Sequence, residues 1–277
     1  MTNSIFSDKL DPDLRGQRVG LSGAIPETDE WAGRALDWEL LNAVSTLADR
    51  VFSGGGHLVH GSHPSFTPRI LAQAKPYAHE RGEPVVTFVL SGLYGDSRLA
   101  QLLHDPKYHD VLHLILVDPV ILPGHEGHGA EDSVVRNASF KAMRERLIDE
   151  MDALVVIGGK RWRNSDNKPG TLEELKLARA RNIPCYLLGG FGGMAADLSV
   201  QPEFTDLFTS PPTDADMKFV NPDFSVKTTG EGLLDNGLTV SDNEFLRTSN
   251  DYGRTITLVT HGLEVSRLMP HGTKMNQ

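Results

Sequence analysis

The chain has 277 residues, of which 39% are hydrophobic and 23% are charged, as is typical of a soluble globular protein. A net charge of about −10 argues against nucleic acid as a partner. The single cysteine, Cys185, excludes an internal disulfide. The first residues lack the basic and apolar blocks of a signal peptide, and no apolar run is long enough to span a membrane. We therefore expect a cytoplasmic protein that binds neither nucleic acid nor membrane.

Apolar runs alternate with segments of helical spacing along most of the chain. Predicted strands cover residues 18–23, 57–60, 84–90, 111–117, 153–157 and 184–188. Predicted helices cover residues 31–51, 68–81, 96–104, 132–150 and 171–181. This alternation predicts an α/β fold: a Rossmann-like, doubly wound parallel sheet in three α/β/α layers, with right-handed crossovers.

The last part of the chain differs in composition. Residues 199–240 are rich in Pro, Asp, Thr and Gly, which predicts an excursion over the surface. Helical spacing returns between residues 240 and 269, although residues 255–260 also fit a strand. We therefore expect one domain over residues 1–277, with its core in residues 16–198 and a C-terminal extension.

Small or polar residues follow the carboxyl end of nearly every predicted strand. In an open parallel sheet, ligands bind outside these ends. The sequence therefore predicts a cleft at this edge of the sheet. The strand-end residues that we expect to contact a ligand are Ser22, Gly23, Gly61, Ser62, His63, Gly158, Gly159 and Lys160.

The fifth strand leads into a glycine pair, and the next helix opens with Gly170, Thr171 and Glu174 in a GTxxE pattern. Glycines let a ligand approach the backbone, and a helix that starts near Thr171 directs its N–H groups and its dipole at an anion. This pattern predicts a phosphate site at Gly170 and Thr171. The structural alternative is that Thr171 is the N-cap and Glu174 completes a capping box.

Charged residues cluster around the fifth strand in the predicted fold. Arg144 and Arg146 lie on the preceding helix, Lys160 follows the strand, and Glu174 lies in the next helix. Cations beside a helix N-terminus suit a phosphate, and a carboxylate accepts ribose hydroxyls or assists departure of a base. The alternative for both arginines is a solvated helix face, paired with neighbouring carboxylates.

These residues resemble the SLOG superfamily, the Rossmann-like group named for the DprA and LOG proteins. The resemblance spans residues 16–198 and is carried by the motif DALVVIGG at residues 152–159, by the GTxxE pattern, and by Met143, Arg144 and the early Ser22–Gly23 pair. LOG enzymes are nucleoside-monophosphate phosphoribohydrolases with a PGGxGTxxE motif. For a hydrolase, the resemblance implies Glu174 and Arg144 as the catalytic residues.

The chain departs from the LOG motif at two places. Ile157 stands where proline precedes the glycine pair, and ten residues separate that pair from Gly170. The chain is more similar to the sensor domains of Thoeris effectors and the N-terminal region of melastatin-type channels, in which Arg, Lys and Glu contact the ligand. That resemblance implies a sensor or binding protein for a nucleotide-derived ligand, such as ADP-ribose or a cyclic relative, with Arg144, Lys160 and Glu174 as contacts. The alternative is a LOG-like N-glycosidase.

We expect no cofactor and no bound metal, together with an effector protein as partner and a homo-oligomeric assembly. His125, Glu126 and His128 lie in a glycine-rich loop, and a plain loop is the favoured interpretation over a metal site. The glycines at residues 54–56 precede a strand, so we interpret them as a turn rather than a phosphate loop.

Overall fold

A computed structural model describes residues 12–26, 37–161, 170–199 and 233–268. The strands within these ranges are β1 (Arg18–Ala24), β2 (His57–His60), β3 (Val86–Ser91), β4 (Leu112–Val117), β5 (Ala153–Gly158) and β6 (Cys185–Leu188). The helices are α1 (Asp37–Ser53), α2 (Thr67–Arg81), α3 (Arg98–Leu103), α4 (Ser133–Asp149), α5 (Gly170–Ala180), α6 (Gly193–Ser199), α7 (Val240–Thr248) and α8 (Tyr252–Leu268).

The six strands form one parallel sheet in the order β4-β3-β2-β1-β5-β6. After β4 the chain returns to the centre and places β5 beside β1, so that Gly20 pairs with Leu154. The strand order therefore reverses between β1 and β5, and a crevice for ligands forms outside their carboxyl ends. This topology confirms the predicted doubly wound, Rossmann-like fold.

Helices cover both faces of the sheet. One core cluster joins the sheet to α1, α2 and α8, and the other joins it to α4, α5 and α6. Val155 and Ile157 belong to the first cluster, whereas Leu154 and Val156 belong to the second. Successive side chains of a strand point to opposite faces, and a strand buried on both faces is therefore apolar throughout, which is why β5 has no polar alternation.

The C-terminal extension is helical where the structure describes it. The strand alternative for residues 255–260 is wrong, because these residues lie within α8. Ile256, Val259 and Leu263 are buried at helical spacing, so that one face of α8 covers the sheet. The predicted surface excursion lies mostly outside the described residues, as do residues 31–36 of the first predicted helix.

The glycines at residues 54–56 form the turn between α1 and β2, as predicted. Gly55 has a φ of 82°, and the amide of Gly56 donates to the carbonyl of Val51 at 2.8 Å. Within the part of the chain that the structure describes, no helix has the length and apolar character needed to cross a membrane.

Candidate functional site

A cavity of about 410 Å³ lies at the carboxyl edge of the sheet. It extends past the ends of β3, β2, β1 and β5, which are four neighbouring strands, so it is about 14 Å long at about 4.8 Å per strand spacing. Helices α4 and α5 contribute the charged side chains of Arg144 and Glu174 to its wall. The cavity therefore occupies the crevice at which the strand order reverses.

Most of the predicted site residues line this cavity. They are Gly23, Gly61, Ser62, His63, Arg144, Lys160, Gly170, Thr171 and Glu174. Ser22, Gly158 and Gly159 do not belong to the lining. Ser22 is 1% exposed, and its hydroxyl group acts on the neighbouring Glu174 carboxyl group, whose pKa it lowers.

The glycine pair after β5 fastens the strand end to its neighbours. Gly158 and Gly159 have φ values of 63° and 89°, a backbone conformation in which a residue with a side chain would be strained. The Gly159 amide donates to the carbonyl of Ala24 at 2.8 Å, and the Gly159 carbonyl accepts from the amide of Met194 at 3.0 Å. The pair thus sets the path from β5 towards the cavity, and its backbone is occupied by contacts with β1 and α6.

Helix α5 begins at Gly170, so Thr171 is its second residue and the interpretation of Thr171 as N-cap is wrong. A Cβ on Gly159 would come within 2.6 Å of Thr171 Oγ1, so the hydroxyl faces the glycine pair. The capping box is wrong as well, because Glu174 turns to the cavity, where its Oε1 lies 3.8 Å from Arg144 Nε.

Arg144 is the central cation of the site. Its side chain is 14% exposed, and one guanidinium nitrogen pairs with the carboxylate of Glu173. Its Nη2 lies against the start of α5, because a Cβ on Gly170 would come within 2.9 Å of it. Its Nε is buried and has no hydrogen-bond partner among the described residues. Arg144 is therefore held inside the cavity wall, and the solvated-face interpretation is wrong for it.

Arg146, two residues further along α4, lies on a solvated helix face. Its side chain is half exposed, and it pairs with Glu150 at 2.5 Å, one turn along the same helix. The solvated-face alternative is confirmed for Arg146, which lies outside the cavity lining.

Glu174 presents a largely buried carboxyl group to the middle of the cavity. Burial raises its pKa above the ordinary value, and the positive charge of Arg144 and the Ser22 hydroxyl oppose that rise. A Cβ on Gly61 would lie 3.9 Å from Glu174 Oε1, so this carboxyl group lies beside the loop after β2. The arrangement suits a group that accepts hydroxyl hydrogen bonds inside a cleft.

The loop after β2 is fixed by His60, which the sequence did not indicate as a site residue. The buried imidazole contacts the Leu21 carbonyl through Nδ1 at 2.8 Å, and its Nε2 accepts from the His63 amide at 3.2 Å. Burial lowers the pKa of His60 to about 4, so the ring is neutral at physiological pH. Ser62 has a φ of 57° and donates to the Val89 carbonyl at 3.1 Å. These bonds fix Gly61 beside Glu174.

Lys160 lies at the rim, where the chain leaves β5. It is exposed and lines the cavity. The next residue, Arg161, donates to the carboxylate of Asp197 at 2.7 Å, and Asp197 is only 1% exposed. This buried ion pair anchors the backbone next to Lys160. Residues 162–169, which make up most of the ten-residue separation between the glycine pair and Gly170, lie outside the described residues.

Sequence reasoning missed the apolar end of the cavity. Leu90, Ser91, Tyr94, Leu99, Phe140 and Met143 line it. The rings of Tyr94 and Phe140 stack with centroids 5.6 Å apart and an interplanar angle of 14°. Phe140 lies one turn before Arg144 on α4, and that helical spacing was the signal that could have placed it in the site.

The histidine-rich loop does not assemble a metal site within the described ranges, where no group of three His, Cys, Asp or Glu side chains could hold an ion. His125 Nδ1 instead lies 2.7 Å from Asp132 Oδ2, and Asp132 accepts from the amides of Val134 and Val135 as the N-cap of α4. The loop therefore contributes to the start of α4.

Comparison with known proteins assigns the chain to a family. The family model described as SLOG cluster2 matches residues 13–205, and the chain therefore belongs to this SLOG family. It is a nucleotide-related SLOG domain, as the residues around β5 predicted.

One similar solved structure is the X-ray structure of TM1055, a target of the Northeast Structural Genomics Consortium. It shares 17% sequence identity with this chain, with a TM-score of 0.40 over 66% of this chain and 81% of that one. No curated protein matches the chain.

Proposed function

We propose that this protein binds a nucleotide-derived ligand, ADP-ribose or a cyclic relative, in the cavity between β1 and β5, and that it acts as a sensor or binding protein. The observation that carries this proposal is the placement of the Arg144 guanidinium against Gly170 at the start of α5. A helix N-terminus carries a partial positive charge, so a cation beside it is unfavourable unless an anion joins them.

Glu173 supplies a negative charge to Arg144 in the structure, but Arg144 Nε keeps an unused N–H. A phosphate at this position would accept from that N–H and from the first amides of α5. Lys160 at the rim adds a second cation. These features support a phosphate position between Arg144, Gly170 and Lys160.

Glu174 supports a ribose position next to that phosphate. Its carboxylate lies 3.8 Å from Arg144 Nε and beside Gly61, and all three residues line the cavity. An ionised carboxylate accepts hydroxyl hydrogen bonds more strongly than a neutral amide does. A ribose with free hydroxyls therefore fits this part of the cavity.

The alternative function is hydrolysis of the base–ribose bond, and the raised pKa of Glu174 is the observation that favours it. A buried carboxyl group with a raised pKa is better suited to donate a proton than an ordinary glutamate is. Ile157 in place of the motif proline, and the ten residues before Gly170, favour binding instead. We therefore propose slow or absent release of free base.

Calorimetric titration with ADP-ribose and with AMP tests the binding proposal. Arg144→Ala should weaken binding about ten- to hundredfold, because a hydrogen bond to a charged group contributes about 1.5–3 kcal/mol. Arg146→Ala is the matched control, since Arg146 lies on the same helix outside the cavity. Equal affinities in Arg144→Ala and wild type would contradict the proposal.

Chromatography separates binding from hydrolysis. AMP, isopentenyl-AMP, NAD and ADP-ribose are incubated with wild type and with Glu174→Gln, and free base is measured over time. We expect both proteins to leave the nucleotides intact. Rapid base release by wild type that disappears in Glu174→Gln would instead assign the hydrolase function.

A further inference from the structure

The two ends of the cavity differ in chemistry. The end at β5 and α5 carries Lys160 and the first amides of α5, and the end at β3 carries aromatic and aliphatic side chains. Three strand spacings, about 14 Å, separate β3 from β5. A ligand that fills the cavity therefore has a charged end and an apolar end, which are joined across the ends of β1 and β2.

Tyr94 and Phe140 form the wall of the apolar end. Their rings are nearly parallel, at 14°, with centroids 5.6 Å apart, and both residues are half-buried. The guanidinium carbon of Arg144 lies 5.2 Å from the centroid of the Phe140 ring. The aromatic pair is thus in contact with Arg144, the cation of the proposed phosphate position. Flat aromatic faces of this kind stack on nucleobases, whatever the base.

Ser91 supplies an independent sign of a ligand at this end. It is the last residue of β3, it lines the cavity, and it is 1% exposed. Its hydroxyl group is buried and has no hydrogen-bond partner among the described residues. A buried hydroxyl without a partner is unfavourable, so the folded protein benefits when a ligand bonds to it.

From these observations we infer that the β3 end of the cavity is a base-recognition subsite, in which the stacked Tyr94–Phe140 pair presents an aromatic face to the nucleobase and the Ser91 hydroxyl bonds to its polar edge. This inference rests on the proposed nucleotide binding and adds the part of the ligand that determines its selection. It requires a ligand with an aromatic base, so a base-free sugar phosphate fills only the charged end.

Comparison of AMP with ribose 5-phosphate tests this subsite, because the two molecules share a phosphorylated ribose and differ in the base. Binding is measured by calorimetry or ligand-observed NMR for wild type, Tyr94→Leu and Ser91→Ala. We expect wild type to prefer AMP. Tyr94→Leu should reduce AMP affinity about tenfold and leave ribose 5-phosphate affinity unchanged, since stacking on an aromatic side chain involves only the base.

Two substitutions serve as matched controls. Tyr252→Leu replaces a tyrosine that is 36% exposed and lies outside the cavity lining, so it should leave the preference for AMP unchanged. Ser139→Ala replaces a buried serine outside the lining that accepts from the Val120 amide at 2.9 Å. We expect Ser139→Ala to lower thermal stability without changing the preference, and Ser91→Ala to lower AMP affinity several-fold without lowering stability.

The outcomes separate the subsite from the proposed function. If AMP and ribose 5-phosphate bind wild type equally, or if Tyr94→Leu weakens both ligands to the same extent, the base subsite is overturned while phosphate binding stands. If wild type binds neither ligand at millimolar concentration, the subsite is overturned, and the nucleotide-binding proposal is overturned with it if ADP-ribose also fails to bind.

Discussion

The Arg144 guanidinium packs against Gly170 so closely that it could not take this position beside a residue with a side chain. A Cβ on Gly170 would come within 2.9 Å of Arg144 Nη2 and 3.3 Å of its Nε. The guanidinium therefore rests on the first residue of α5, in the space that any other side chain would take. Glycine at the first position of the GTxxE pattern is thus explained by the packing of Arg144 as well as by its role at the helix start.

Replacement of Gly170 by alanine should displace Arg144 and lower nucleotide affinity about tenfold, because a displaced guanidinium loses its bond to the phosphate. The melting temperature should stay level or rise slightly, since alanine favours helix over glycine by up to about 1 kcal/mol. Calorimetry with ADP-ribose and thermal unfolding measure the two effects.

Gly253→Ala is the matched control for this substitution. Gly253 is the second residue of α8, and the nearest atom to its Cβ position is Asp251 Oδ1, at 3.5 Å. This substitution should change the melting temperature as Gly170→Ala does and leave affinity unchanged. An unaltered affinity in Gly170→Ala would contradict the role of the contact with Arg144.

Glu174→Gln should stabilise the protein at neutral pH while weakening its binding of a ribose. Burial raises the pKa of Glu174 in the folded protein, so the folded state holds this proton more tightly than the unfolded chain does. The free energy of unfolding therefore falls as the pH rises above the ordinary value of 4.5. We expect a gain of a few degrees at pH 7.5, since about 1 kcal/mol corresponds to about 2–4 °C in a domain of this size.

The gain from Glu174→Gln should shrink as the pH is lowered towards 4.5, because the raised pKa lets the folded wild-type protein take up the proton at Glu174 and lose the buried charge that glutamine removes. Glu145→Gln is the control, since that carboxylate is 45% exposed on α4. A lower melting temperature for Glu174→Gln at pH 7.5 would show that its contacts with Arg144 and Ser22 outweigh its burial.

His60 should titrate far below an ordinary histidine. Burial lowers its pKa from 6.5 to about 4, so the unfolded chain binds the proton more readily between these values, and His60 makes the protein less stable as the pH falls through this range. The Leu21 carbonyl accepts and the His63 amide donates, which fixes the proton on Nδ1. Nitrogen-15 NMR of the imidazoles measures the pKa of His60 and shows which ring nitrogen carries the proton. A midpoint near 6.5 or a proton on Nε2 would contradict this account of the loop.

The Arg161–Asp197 ion pair should contribute strongly to stability. Asp197 is 1% exposed and lies 2.7 Å from Arg161 Nε, so Asp197→Ala leaves a guanidinium without its buried counter-charge. We expect a loss of about 3 kcal/mol, as for other buried pairs that lose one partner. Glu145→Ala, which breaks an exposed pair with Lys141, should cost less than about 1 kcal/mol. Denaturant unfolding compares the two, and equal losses would contradict a structural role for the buried pair.

The sheet and its order of α and β elements followed from the sequence because the physics involved is local. Each strand is an apolar run that two helical layers bury, as the alternation of Leu154, Val155 and Val156 between the two core clusters shows. The assignment of residues 255–260 was ambiguous, since the run TITLVT fits both the helical period and the strand period. Tertiary packing selects the helix.

The charged end of the site was accessible to sequence reasoning, and the apolar end was not. Arg144, Lys160 and Glu174 lie near one motif, and the topology of a parallel sheet brings them to one edge. Tyr94 and Phe140 come from separate elements, and only tertiary packing decides that they meet at 5.6 Å. Thr171 was misplaced by two positions at the start of α5, as the N-cap instead of the second helical residue, because capping patterns do not fix where a helix begins.

A crystal structure of the protein soaked with AMP tests the central claim most directly. The account predicts the phosphate between Arg144 and the Gly170 and Thr171 amides, the ribose beside Glu174, and adenine against Tyr94. A ligand outside this cavity, or one with its phosphate at the β3 end, would contradict it.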